Sequence, residues 1–300
     1  MAVSSSIRFG LPYQGSKNRL ASKIVDLLPA APVLVDAFAG GCAVTHAALL
    51  SGKFGQVIAN DLSDAPGLFY RCARYGVPEK PRWVSREEFF AKKSTDPLIR
   101  YAFSFGSGGE SYLYARDIEG LKHAAHIAIV DGDCSRLPDE LRGEARLALD
   151  GVVGVRERYL AYKFALRRLE KRVDLQHLEH LERLQQLEHL ERLERLQNLQ
   201  NLQNLARLTV FRRDYRDLYL PPGSVVYCDP PYAGTCGYAR AAFDHRAFYS
   251  WCRAVGRRHP LFVSEYWMPS DFRCVTEFEV RALAGATTNA QTRVEKIFTI

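Results

Sequence analysis

The sequence has no long hydrophobic run. No apolar stretch in its 300 residues approaches the ~18 that a membrane-spanning helix needs, so no membrane partner is expected. Met1 to Arg8 carries no apolar core, so no signal peptide is read there. The seven cysteines are odd in number and include no C-x-x-C pair. That argues against a zinc site or a disulfide framework, and for reduced thiols in a cytoplasmic protein with no metal. A G-x-x-x-x-G-K phosphate loop and a complete G-x-G-x-x-G are both missing. What remains is ordinary globular composition, 47% hydrophobic and 25% charged, with a net charge of +7. The length allows one or two domains, and the charge favours a polyanionic partner.

The most informative stretch is Ser224-Val225-Val226-Tyr227-Cys228-Asp229-Pro230-Pro231-Tyr232. Its β-branched and aromatic start reads as a buried strand, and the prolines, which donate no N–H, end it. Asp229 and Tyr232 are left on a stiff turn at a strand's C-terminal end, where open α/β sheets bind ligands. A carboxylate and proline-turn carbonyls accept hydrogen bonds without a competing donor. Aimed at an exocyclic amine, they can take both hydrogens and turn the nitrogen lone pair outward, while the aromatic ring stacks on a planar base. The plainer reading is a strand followed by a proline turn.

Upstream, Gln14-Gly15-Ser16 reads as a turn opening a helix with Leu20, Ile24, Leu27 and Leu28 on one face. Lys17 then falls in the first helical turn, where the helix dipole does not favour a cation. A contact with an anionic group, or a plain solvent-facing lysine, explains it. Val33 to Val44 reads strand, glycine turn (Gly40-Gly41), helix. Gln56 to Ala59 is a second strand ending in Asn60-Asp61, with Asp61 placed either to accept ribose hydroxyls or to cap a helix. Pro78, Pro81 and Pro97 break up the pattern after Gly76, and Phe103 to Gly109 reads as a flexible loop. Helices are predicted at about 117–130 and 155–172. The second carries Arg156, Arg158, Lys163, Arg167, Arg168, Lys171 and Arg172, which suits either a nucleic-acid surface or a charged solvent face. After Tyr232 come a glycine-rich loop at 234–238, a helix from Phe243 capped by Asp244, a strand Leu261 to Tyr266, and a long-looped hairpin of Arg273 to Val280 with Arg293 to Ile300.

In this order, P-Y-Q-G-S-K at 12–17, D-A-F-A-G-G at 36–41, N-D at 60–61 and D-P-P-Y at 229–232 resemble the motifs of the Dam-like, alpha-group adenine-N6 DNA methyltransferases. The resemblance covers about residues 7–75 and 205–300. It implies an α/β fold, a Rossmann-like methyltransferase sheet, with S-adenosylmethionine as cofactor and DNA as partner. By this resemblance Tyr13 and Lys17 flank the cofactor, Asp36, Phe38 and Gly40 wrap its methionine side, Asp61 holds the ribose, and Asp214 matches the acid near its adenine. Asp229, Pro230, Pro231 and Tyr232 bind the flipped target amine, with Asp229 also near the cofactor. The family's loop carries a proline and a third small residue that are absent here, and Tyr13 stands where Trp is common. Two other functions stay open: methylation of cytosine N4, and a DNA-binding module that has lost catalysis, against which the intact Lys17, Asp61, Asp229 and Tyr232 argue.

The implied domains are a catalytic one at 1–75 and 208–300, an inserted helical target-recognition region at 76–174, and a Leu-x-x triplet-repeat insert at 175–207. Twelve leucines recur at every third position from Leu175 to Leu208, with polar residues between them except at Ala206. Propensity favours a helix, yet a step of three turns an α-helical side chain by ~300°, so the stripe slips around the axis. A narrow leucine-cored solenoid with a three-residue side keeps every leucine inward and is favoured over a long helix. Its polar positions form no catalytic constellation, so the insert is expected to be structural or an extra binding surface.

Overall fold

The computed structural model describes residues 8–170, 186–232, 243–281 and 292–300. The chain divides into two compact units: Met1–Leu11, Gly15–Arg74 and Asn201–Ile300 form the first, Pro12–Gln14 and Tyr75–Gln200 the second.

The first unit is built on a seven-stranded sheet. Its strands are β1 (Ala31–Asp36), β2 (Phe54–Asn60), β3 (Leu208–Phe211), β4 (Ser224–Cys228), β5 (Leu261–Glu265), β6 (Arg273–Arg281) and β7 (Thr292–Thr299). They lie in the order β3-β2-β1-β4-β5-β7-β6. The first five are mutually parallel, while β7 runs antiparallel to both β5 and β6. All five residues of β4 are buried, as expected for a central parallel strand covered on both faces. Val33, Val35, Ile58, Val226, Val263 and Phe298 join Phe248, Cys252 and Val255 in one core. The last three belong to the helix His245–Gly256, which Asp244 caps by accepting from the Ala247 N–H at 2.9 Å. Burying each such side chain stabilises the sheet by about 1.5–3 kcal/mol. Inside the sheet, the Tyr227 and Ser264 hydroxyls share a buried 2.6 Å hydrogen bond between neighbouring strands.

Helices α1 (Ala21–Leu27), α2 (Ala43–Ser51) and α3 (Ala65–Tyr75) complete the parallel half. Because α1 starts only at Ala21, Lys17 lies in the turn before it and not in its first helical turn; the Leu20 N–H closes that turn on the Lys17 carbonyl. Gly10 adopts φ +67, and a Cβ there would lie 2.3 Å from the Gly41 carbonyl oxygen, so only glycine lets the N-terminal segment cross the glycine turn this closely.

The second unit is helical. Its helices are α4 (Arg86–Lys92), α5 (Pro97–Ala102), α6 (Arg116–Asp131), α7 (Asp139–Leu149), α8 (Val155–Glu170) and Glu188–Gln197. Three of these are not read in the sequence above, although two carry clear start signals. Ser85 caps α4 by accepting from the Glu88 N–H at 3.2 Å, and Asp96 caps α5, with Pro97 as its first residue. The basic face of α8 is largely engaged within the unit. Arg156 pairs with Glu194 at 3.0 Å, Lys163 with Glu191 at 3.2 Å and Arg168 with Glu144 at 3.9 Å, while Arg158 donates to the Val152 carbonyl at 2.9 Å.

The solenoid is not what the described part of the repeat forms. Residues Glu188–Gln197 are α-helical and Asn198–Asn201 a 3₁₀ turn. Even so, Leu187, Leu190, Leu193, Leu196, Leu199 and Leu202 are all buried. Across so short an α-helix the slip amounts to only ~120°, which one broad apolar face absorbs. Where it would run further, the chain tightens to 3₁₀ geometry, whose three residues per turn match the leucine step. Asn204, at φ +67, then precedes a second 3₁₀ turn, Leu205–Arg207, which leads into β3. Leu187 and Leu190 lie in a core with Ala125, Ile129, Tyr162 and Leu166 from α6 and α8. The portion 175–185 lies outside the described residues, as does the glycine-rich loop at 234–238.

Candidate active site

The strand order reverses between β1 and β4, which makes that edge of the sheet the switch point where α/β folds bind ligands. Three acids sit at the C-terminal ends of adjacent strands there: Asp36 closes β1, Asp61 follows β2 and Asp229 follows β4.

Asp36 is 1% exposed, and burial raises its carboxyl to about 7. Thr45 donates to its Oδ2 at 2.7 Å, while its Oδ1, also buried, has no hydrogen-bond partner among the described residues. The turn that follows is held by Asp61, whose Oδ2 accepts from the Gly40 N–H at 2.8 Å and whose Oδ1 accepts from the Ser63 N–H at 2.8 Å. Asp61 therefore does not cap α3, which begins four residues on. The neighbouring Asn60 donates to the carbonyls of Ala37 (3.2 Å) and Arg213 (3.0 Å), tying the exits of three strands together. Phe38 packs between Tyr215 (5.1 Å) and Phe248 (5.5 Å) as part of the aromatic floor below the turn.

Asp229 meets Lys17. The lysine is buried at 9% exposure, its Nζ 2.9 Å from Asp229 Oδ1, 3.6 Å from Glu295 Oε2 and 4.8 Å from the centroid of the Tyr232 ring. Burial raises the Asp229 carboxyl, with Lys17 opposing the shift. Pro230 is buried and Pro231 half-buried behind the aspartate. Tyr232 meets Tyr266 edge-on at 4.6 Å. Lysine, acid and aromatic from opposite ends of the sequence thus converge, as the anionic-contact reading of Lys17 expects.

Asp214 caps the short turn Tyr215–Asp217, and both its oxygens engage the Arg216 guanidinium at 2.8 and 2.7 Å. Tyr13 belongs to the second unit, where its ring lies 5.5 Å from that of Tyr101. Sequence reading passed over Thr45, Asn60 and Glu295. The N-D pair contained Asn60, but nothing local marks Glu295, which reaches the site only through sheet topology. Among the described residues no group of His, Cys, Asp or Glu could hold a metal ion, and no helix is long and apolar enough to cross a membrane.

A mostly parallel seven-stranded sheet with a glycine turn and acids at its switch point is consistent with a Rossmann-like methyltransferase fold. Residues 13–101 match the family model described as D12 class N6 adenine-specific DNA methyltransferase, a similarity that supports the Dam-like reading of the motifs. No curated protein matches the chain. Among solved structures, the rRNA methyltransferase aviRa from Streptomyces viridochromogenes aligns over 100% of this chain and 93% of its own, at 13% identity and a TM-score of 0.37.

Proposed function

We propose that the switch-point edge of the first unit holds S-adenosylmethionine and that the turn Asp229–Tyr232 presents the adenine amine to it. The observation that carries this reading is the pair of buried Lys17 and half-buried Asp229 beside Tyr232, at the end of the central strand and next to two further acids. The site suits a cationic cofactor. Asp36 Oδ1 is a buried acceptor with no hydrogen-bond partner among the described residues, and an ammonium and a sulfonium beside the acids of β1, β2 and β4 would favour their ionised forms over the raised, resting ones. Asp36 and Gly40 would hold the methionine side, with Phe38 as floor. Asp61 would hold the ribose, and its two backbone contacts leave lone pairs for the hydroxyls. Lys17 and Tyr13 are proposed to flank the cofactor, with Asp214 near its adenine once Arg216 is displaced.

When bound, the cofactor supplies an electrophilic methyl group. This chain's own residues supply positioning. Asp229 and the carbonyl of the proline turn accept from the two amine hydrogens, so the lone pair leaves conjugation and points at the methyl carbon. Lys17 covers one face of Tyr232, so the flipped base stacks on the other. Asp229 is also the nearest group to take the proton that the methylated amine sheds. The second unit is proposed to carry target recognition. Because Arg156, Lys163 and Arg168 of α8 pair with acids of neighbouring helices in the same unit, this role is not assigned to that helix.

Calorimetry with S-adenosylmethionine tests the cofactor half. The wild type should bind one equivalent. Asp61→Ala should weaken binding by about 1.5–3 kcal/mol, the range for lost hydrogen bonds to a charged group, since both the ribose contact and the anchor of Gly40 go. Unchanged affinity would remove Asp61 from the cofactor site.

A further inference from the structure

Lys17 stands between two carboxylates, and only one of them lies in the D-P-P-Y turn. The other, Glu295, arrives because β7 is antiparallel to β5. Lys296 pairs with Glu265, the last residue of β5, so the start of β7 lies at the edge where the parallel strands end. The Glu295 side chain is 17% exposed. Its Oε2 is buried and makes no hydrogen bond among the described residues, although it is 3.6 Å from the Lys17 ammonium. A carboxylate placed there with no backbone or hydroxyl partner for that oxygen is costly unless the lysine offsets it.

We propose that Glu295 is the alternate partner of Lys17, a positioning residue that takes over the ammonium when Asp229 turns its oxygens to the target amine. The inference rests on the functional reading above. At rest, a charge-assisted contact of 2.9 Å occupies Asp229 Oδ1, and an acceptor so engaged is a weaker one for a neutral amine. Shifting Lys17 towards Glu295 frees that oxygen without leaving a buried cation unpaired. The lysine stays close enough throughout to oppose protonation of Asp229.

The titratable groups around Lys17, Asp229 and Glu295 are Tyr227 and Tyr232 from β4 and its turn, Glu265 from β5, Asp61 after β2 and Asp36 at the end of β1. On the adjacent strand Lys296 is engaged by Glu277 at 2.7 Å. Replacing Glu295 by glutamine removes a like charge from beside Asp229 and takes one anionic neighbour from Lys17. Both changes favour the aspartate's ionised form, so the acid limb of the kcat profile must move to lower pH.

The test is a kinetic comparison on DNA of wild type, Glu295→Gln, Lys17→Gln and the double variant, with cofactor affinity measured alongside. Glu295→Gln should lower kcat about tenfold, a modest part of the ~10²–10⁴ of a positioned proton-transfer group, with cofactor affinity within about twofold of wild type. Its acid limb should shift down, and Glu295→Asp should return it. The double variant should be no slower than Lys17→Gln alone, because Glu295 acts through Lys17. An unmoved acid limb, an unchanged kcat, or additive losses in the double variant would overturn the proposal. Should Glu295→Gln not fold, Glu295→Ala carries the same readouts. A wild type that transfers no methyl group to any DNA would sink the underlying reading, whereas an active wild type indifferent to Glu295 sinks only this one.

Discussion

Asp229→Ala should abolish methyl transfer, by at least about 10²-fold, and leave cofactor binding weakened by a few-fold at most. The fold should survive. Asp229 lies outside the hydrogen-bonded part of β4, whose five residues stay buried against β1 and β5. The lysine it abandons keeps Glu295 at 3.6 Å, so no buried cation is stranded. What disappears is the acceptor that orients the amine and turns its lone pair outward, and no other carboxylate lies in the proline turn. Asp36 and Asp61 remain for the cofactor. Single-turnover transfer from labelled cofactor measures the first quantity and calorimetry the second. A variant keeping more than about a tenth of the activity would show that Asp229 does not orient the amine.

Mild acid should loosen the second unit before the first. Its core contains a chain of polar rings: the Tyr114 hydroxyl is 2.6 Å from His189 Nδ1, and His189 Nε2 is 2.8 Å from His126 Nδ1. A consistent proton order runs from Tyr114 into a neutral His189, and from its Nε2–H into a neutral His126. Protonating His126 puts two N–H groups face to face, and protonating His189 turns its Nδ1 from an acceptor of the Tyr114 hydroxyl into a donor. Trp83 and Phe103 pack on His189 at 5.3 Å each, and Lys122 and Arg192 add positive charge. Burial lowers the His126 imidazole from 6.5 to about 4 and pushes that of His189 well down. The sign follows directly. A folded pKa below the unfolded one means the stabilisation is fully present above pH 6.5 and is lost as pH falls towards 4. For His126 alone the loss is about 2 kcal/mol by pH 5 and about 3 kcal/mol by pH 4. Amide exchange should show protection of Ala124 to Val130 falling between pH 7 and pH 5, after correction for intrinsic rates, while Val225 to Cys228 stays protected. Equal loss in both segments, or none, would contradict the neutral-pair account.

The legible parts of the sequence were those where local chemistry and tertiary role coincide. Val225 to Cys228 is a strand by propensity and a central one by burial, and the prolines that end it also fix the turn. Asn60-Asp61 was placed at a strand tip, although only the structure shows Asn60 joining three strand exits. Lys17 was read as a helical residue because apolar spacing marks α1 without marking its first residue, and Leu20 offers no side-chain cap. Glu295 lay beyond reach, since an antiparallel last strand brings it to Lys17 from the far end of the chain. In the repeat, the geometric objection to an α-helix holds only for a long one. The chain changes from α to 3₁₀ winding before the slip becomes costly, and His189 and Arg192, read as polar exterior, point inward: Arg192 donates to the carbonyls of Ala102 at 3.1 Å and Ser104 at 2.6 Å.

The central claim is transfer of a methyl group to adenine N6 in DNA by the Asp229–Tyr232 turn. Incubation with labelled S-adenosylmethionine and DNA of mixed sequence, followed by digestion to nucleosides, tests it in one step. Label recovered as N6-methyldeoxyadenosine with the wild type and lost with Asp229→Ala is the expected result. Label in N4-methyldeoxycytidine, or no label in DNA from a folded, cofactor-binding protein, would contradict it.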